Sequence, residues 1–224
     1  MSVSKLITID GGAHCGKSTA ARLLSARLGW PWVSTGLFYR AAAFVAQQER
    51  ISPSQGAKLA VRLKAKGFTV HTAESGVRIH VGGRDVTQEL ENPEIDKLTP
   101  QFSRLQPVRA ALMGLQRQFF NRDRGLIAEG RDIGTVVFPK APLKVFLTVA
   151  PEKAAERMSA KKGMPFAAAL AAVIVRDAAD RSRRASPTKP AKDAILFDTS
   201  HLDPDTVADV LVELAKSRGL MEMA

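Results

Sequence analysis

Nine consecutive residues, Gly11-Gly12-Ala13-His14-Cys15-Gly16-Lys17-Ser18-Thr19, constrain this chain more than any other stretch. They follow the apolar run Leu6-Ile7-Thr8-Ile9 and precede a helical pattern at Ala20, Ala21, Leu23, Leu24 and Leu28. Glycine, lysine and hydroxyl therefore fall where a strand turns into a helix, which is the context of a P-loop. Backbone that wraps phosphate oxygens needs a tight path free of side chains, and Gly11 and Gly16 permit one. The first N–H groups of the helix face inward at the positive end of its dipole. Lys17 can reach the β- and γ-phosphates of a nucleoside triphosphate, and Ser18 can offer its hydroxyl to Mg²⁺. The whole stretch from Gly11 to Thr19 is the expected triphosphate site.

The remainder of the chain alternates between the two periodicities. Trp30 to Val33 reads as a short strand with both tryptophans in the core, and Ser34-Thr35-Gly36 turns into a helix over about 37–50. A second helix is expected near 57–66, then two strands, 68–71 and 77–81, joined by a turn. That hairpin reads as an insertion beside a parallel sheet. Asn92-Pro93 opens a helix, Pro107 suits a first helical turn, and 125–129, 143–149 and 194–198 read as core strands. Asp203-Pro204 caps a closing helix. Strands alternating with helices imply an α/β fold with a parallel sheet flanked by helices, in which ligands bind at the carboxyl ends of the strands. Gly11, Thr35 and Glu129 fall at such ends.

Charge narrows the class of ligand. The formal net charge is +11, and between Arg157 and Lys192 nine basic residues stand against two acidic ones, Asp177 and Asp180. Such clustering suits phosphate-bearing ligands, whether nucleotides or a nucleic-acid backbone. No apolar run is long enough to span a membrane, and the single cysteine precludes an internal disulfide. A cytoplasmic location is the expectation.

Two further motifs carry chemistry. Ser34-Thr35-Gly36-Leu37-Phe38-Tyr39-Arg40 puts a hydroxyl, an aromatic ring and an arginine at the start of a helix, where arginine can pair bidentately with phosphate. The stretch from Gly125 through Glu129, Gly130, Arg131 and Asp132 to Pro139 puts three charged side chains at the end of a core strand. A carboxylate at Glu129 can hold Mg²⁺ waters, and an arginine at Arg131 can bridge donor and acceptor phosphates.

With these residues in view, the chain resembles the bacterial cytidylate kinases over nearly its whole length. The resemblance rests on Ile9-Asp10-Gly11, on Ser34-Thr35-Gly36 with Tyr39-Arg40, on the long run from Ala128 to Pro139, and on Arg176-Asp177, Asp180-Arg181 and Arg183. Gln106-Pro107-Val108-Arg109 is a looser match. It implies transfer of the γ-phosphoryl of ATP to CMP or dCMP with Mg²⁺. Thr35, Tyr39, Arg40 and Arg131 match positions that hold the CMP phosphate. Arg109, Asp132 and Arg183 match those reading cytosine, whose 4-amino donor suits a carboxylate and whose O2 and N3 acceptors suit arginine. Arg176 and Asp180 match ribose contacts. Arg157 matches an arginine near bound ATP, and Lys17, Arg131 and Arg157 are the expected catalytic set. The resemblance also implies a P-loop core (1–40, 100–150, 186–224), a monophosphate-binding part (41–99), a lid (151–185) and a monomer. Two positions depart from the pattern: Pro100 stands where a serine usually touches cytosine, with Ser103 nearby, and Ala179 replaces a common lid arginine beside Arg181 and Arg184.

Two competing readings stay in view, a uridylate or adenylate kinase of the same fold and a nucleic-acid-binding ATPase or GTPase. The Asp132 and Arg183 pair favours cytosine. The chain has no Asn-Lys-x-Asp or Asp-x-x-Gly motif and no aromatic-basic stacking motif, so nucleic acid is not the expected partner. His14 reads as a solvent-facing filler of the loop, and Cys15 as a thiol open to reagents and protected by ATP. His71, His80 and His201 lack metal-ligand spacing.

Overall fold

The computed structural model describes residues 4–73, 76–118, 120, 124–183 and 185–221. In chain order the regular elements are β1 (Leu6–Gly11), α1 (Lys17–Leu28), β2 (Trp32–Ser34), α2 (Gly36–Gln48) and α3 (Gly56–Ala65), then β3 (Phe68–Ala73), β4 (Gly76–Val81) and β5 (Arg84–Asp85). After these come α4 (Pro93–Ser103), α5 (Gln106–Gln118), β6 (Leu126–Gly130), one π turn over Ile133–Val137, β7 (Leu143–Thr148), α6 (Pro151–Lys162), α7 (Phe166–Arg181), β8 (Ile195–Asp198) and α8 (Pro204–Ser217). The chain forms two compact units, Met1–Pro31 with Arg122–Ala224, and Trp32–Asn121.

In the first unit β1 lies between β6 and β7, parallel to both, with Ile9 opposite Glu129 on one side and Val145 on the other. β8 continues the sheet in parallel beyond β7. Every residue of β1 and β6 is buried, which explains their largely apolar composition: helices cover both faces of a parallel sheet. β8 alternates instead, with Leu196 64% exposed, so it forms the edge and not a core strand. Gly125 adopts φ 74°, and a Cβ there would lie 2.6 Å from the indole of Trp30, so the chain enters β6 only by way of a glycine. Trp30 is buried as expected; Trp32, which opens β2, is half-exposed. α8 starts on Asp203, whose carboxylate accepts the Asp205 and Thr206 N–H groups at 3.0 and 2.9 Å.

The second unit surrounds α2, which is buried from Phe38 to Ala46 except at Arg40. β3 and β4 pair antiparallel as the hairpin pattern predicts. A short third strand, β5, adds to β4 after Gly82 and Gly83 turn with φ 60° and 81°, a strand too brief to leave a periodic signal. Asn92 caps α4 by accepting the Glu94 N–H at 2.8 Å. Within this unit α4 packs on α2 and α5 packs on α3. Among the described residues no single helix is long and apolar enough to cross a membrane.

Candidate active site

The loop between β1 and α1 is shaped by close packing. Gly11 has φ 154°, and a side chain there would press on the Leu147 carbonyl and on Cys15 Sγ at 2.7 Å. Gly16, at φ 92°, precedes α1, which has no side-chain cap and no acid in its first turn. The orphan N–H groups of that turn are thus left for an anion. Lys17 folds back over the loop, donating from Nζ to the Gly12 carbonyl at 2.5 Å, with Cys15 Sγ at 3.6 Å. Ser18 Oγ donates to Glu129 Oε1 at 2.8 Å, so the two oxygens expected at Mg²⁺ meet between the start of α1 and the end of β6. Thr19 lies exposed on the first turn of α1.

Two expectations for this loop are corrected. His14 is not a solvent-facing filler: it takes a left-handed φ of 53° and is half-buried. Burial first, then the neighbouring charges of Arg176, Lys162, Lys161 and Lys17, pushes its imidazole down to about 4, so it is neutral at physiological pH. Cys15 is fully buried, with 0% exposure, and offers no path to a thiol reagent in this conformation.

Arg131, at the end of β6, joins the loop to α7. Its Nη1 donates to the Gly11 carbonyl at 3.1 Å and lies 3.5 Å from Asp177 Oδ1, while Nη2 lies 3.2 Å from Asp180. Asp180 also pairs with Arg183 one turn on. The Asp177 carboxylate reaches further and accepts the Ala13 N–H at 2.7 Å, and it lies so close over Gly12 that a Cβ there would sit 2.6 Å from Oδ2. Arg157, on α6, donates to the Thr199 carbonyl at 2.5 Å and its Nη1 reaches the Thr199 hydroxyl at 3.2 Å and the His14 carbonyl at 3.4 Å. The Thr199 hydroxyl in turn lies 3.0 Å from the Cys15 carbonyl and 3.1 Å from that of Thr148; with one proton it can donate to only one of them at a time. Asp132 is buried, and its own carbonyl accepts from the Val136 and Val137 amides of the π turn. Lys17, Ser18, Glu129, Arg131, Arg157, Asp132, Arg176, Asp180 and Arg183 all belong to the first unit. Arg184, weighed for the lid, lies outside the described residues.

Thr35, Tyr39, Arg40 and Arg109 belong to the second unit. Thr35 is buried ahead of α2. The Arg109 guanidinium stacks over the Tyr39 ring at 5.2 Å and donates to the Ser103 carbonyl at 3.0 Å. Arg40 donates to the Leu90 carbonyl at 2.6 Å and pairs with Asp96. Pro100 sits inside α4, where it removes one backbone donor, and its carbonyl lies 3.5 Å from Ser103 Oγ.

Three residues with a part in this geometry escaped the sequence reading as site residues. Asp177 counted only as charge and lid spacing, and Thr199 carries no local signal at all. Asp10 accepts the Ile133 and Gly134 amides at 2.8 and 2.7 Å, and burial above all pushes its carboxyl up to about 6 against those bonds. An acid near the end of a largely apolar strand is the available clue.

A family-wide sequence description of cytidylate kinase matches residues 7–217. The cytidylate kinase of Bdellovibrio bacteriovorus is 38% identical over 213 residues, covering 95% of this chain and 98% of its own. That of Thermotoga sp. strain RQ2 is 37% identical over 217 residues (95% and 97%), and that of Pseudomonas syringae pv. tomato 39% over 218 (94% and 95%). Among solved structures, an uncharacterized protein from Eubacterium ventriosum superposes with a TM-score of 0.53 at 13% identity, covering 96% of this chain and 99% of that one, a likeness of fold alone. With a family match spanning the P-loop, the Glu129 to Asp132 turn and the arginines of α7 together, the chain belongs to the cytidylate kinase family.

Proposed function

We infer that the protein transfers the γ-phosphoryl of ATP to CMP or dCMP, giving ADP and CDP or dCDP. The observation that carries this reading is Arg131, whose guanidinium lies 3.1 Å from the Gly11 carbonyl of the P-loop and adjoins Asp132 in sequence. The turn that carries Arg131 and Asp132 is thereby tied to the donor loop. A CMP phosphate oxygen forms a bond to the γ-phosphorus as the bond to the β–γ bridging oxygen breaks, and the electron pair leaves with ADP. The acceptor is already an anion, so no general base is required; catalysis is positioning and charge neutralisation by Lys17, Arg131 and the lid arginines.

Ser18 and Glu129 suit Mg²⁺: two hard oxygens 2.8 Å apart are the small protein share that this ion takes when phosphates and water complete its shell. When bound it supplies charge neutralisation at the β- and γ-phosphates. Thr35, Tyr39 and Arg40 hold the acceptor phosphate; Arg109, Asp132 and Arg183 read cytosine; Arg176 and Asp180 hold the ribose. In this reading residues 41–99 form the monophosphate-binding part and 151–185 a lid that excludes water, over a core of 1–40, 100–150 and 186–224. The protein works as a cytoplasmic monomer, a setting in keeping with its lone cysteine.

An assay of ADP release with ATP and Mg²⁺ against CMP, dCMP, UMP and AMP tests the reading. A strong preference for CMP and dCMP is expected. Equal rates with UMP would show that Pro100 loosens base selection, and no activity with any acceptor would overturn the assignment.

A further inference from the structure

The π turn over Ile133–Val137 follows directly on Arg131 and Asp132, and its first two amides are capped from outside the turn. A helical turn leaves its leading N–H groups without partners, and a local side chain normally accepts them. Here the acceptor comes from β1, more than 120 residues away in sequence. Asp10 Oδ1 accepts the Ile133 N–H at 2.8 Å and Oδ2 accepts the Gly134 N–H at 2.7 Å. Asp10 is itself only 4% exposed. Gly134 permits the approach, since a Cβ there would lie 2.9 Å from Thr8 Oγ1 and 3.3 Å from Asp10 Oδ2. Asp10 is also the last residue before Gly11 of the P-loop.

We propose that Asp10 is a positioning residue for acceptor recognition: through the Ile133 and Gly134 amides it fixes the turn that presents Arg131 and Asp132. The proposal rests on the cytidylate kinase reading above and adds to it a residue that touches neither nucleotide. Two parallel N–H donors require two acceptor oxygens, which a carboxylate has and a carboxamide does not. Asp10→Asn keeps the volume, and whichever way the amide is turned, one N–H faces another donor. The turn is then released at one end, while the glycine-shaped path of the P-loop, built on Gly11, Leu147 and Cys15, is left in place. Thus loss at the acceptor should exceed loss at the donor.

The test compares wild type, Asp10→Asn and Gly134→Ala, the last pushing the turn off the carboxylate from the opposite side. CMP and ATP are titrated separately by calorimetry, steady-state KM values are measured for each, and thermal midpoints are recorded. Both variants should weaken CMP by about tenfold, the order expected for losing a hydrogen bond to a charged group, while ATP changes less than about twofold. If Asp10→Asn does not yield folded protein, Gly134→Ala carries the same comparison. Equal weakening of both nucleotides would assign Asp10 a general structural role and overturn the proposal, as would unchanged CMP binding in folded variants. No CMP transfer by wild type sinks the parent reading and this proposal with it; active wild type with indifferent variants sinks this proposal alone.

Discussion

The Asp177 carboxylate accepts the Ala13 N–H at 2.7 Å, placing an acidic side chain of α7 on the backbone that the P-loop offers to phosphate. Phosphate oxygens and this carboxylate compete for the same donor. Asp177→Asn removes the competing charge, and the affinity for ATP should rise roughly fivefold, about 1 kcal/mol. Displacement titration of a fluorescent ATP analogue reads this directly; an unchanged or weaker affinity contradicts the competition.

Lys17 makes its side-chain contacts inside the loop, to the Gly12 carbonyl and Cys15 Sγ. Its removal costs the fold little and the transition state a great deal. Lys17→Ala should lower kcat at least roughly a thousandfold while leaving the melting temperature within a few degrees of wild type. Turnover at more than a small fraction of wild type, measured by ADP release, argues against the triphosphate assignment.

Asp132 is buried at the head of the π turn, and its proposed partner is the 4-amino group of cytosine. Asp132→Asn exchanges a charged acceptor for a neutral amide, a loss of about 2 kcal/mol or roughly thirtyfold in CMP affinity. ATP binding should hold. Parallel titrations decide it, and equal losses for both nucleotides remove Asp132 from the cytosine site.

Burial pushes the Asp10 carboxyl up from 3.8 to about 6. The folded state therefore favours the protonated form, so this group's stabilising share is fully present below pH about 4 and is lost as pH rises through about 6. The two-unit difference corresponds to about 3 kcal/mol. Groups that do not feel Asp10 titrate alike in wild type and Asp10→Asn, so the stability of the variant relative to wild type should improve by that order between pH 4 and pH 7.5. Denaturant unfolding at both pH values measures it, and a pH-independent difference refutes the shift.

The local chemistry of this protein was legible in its residues. Gly11 to Thr19 between an apolar strand and a helix specified the phosphate loop, and the caps at Asn92 and Asp203 formed as their side chains dictate. Glu129 is readable as an acid closing a buried strand, and it meets Ser18. The hairpin 68–81 was visible through its alternation, whereas β5, two residues long, has no period to display. β8 looked like a core strand because its composition is apolar; only its place at the sheet edge leaves Leu196 exposed.

What the sequence by itself determined, then, is everything set by neighbours along the chain: periodicity, caps, the glycine path and the residue types of each motif. The tertiary structure alone decided which distant groups share a hydrogen bond. Asp10 with Gly134, Asp177 with Ala13 and Thr199 with Arg157 are each separated by 40 residues or more, and no local pattern encodes them. Burial likewise made His14 neutral and Cys15 inaccessible, because desolvation and access depend on what packs around a side chain and not on what flanks it in sequence.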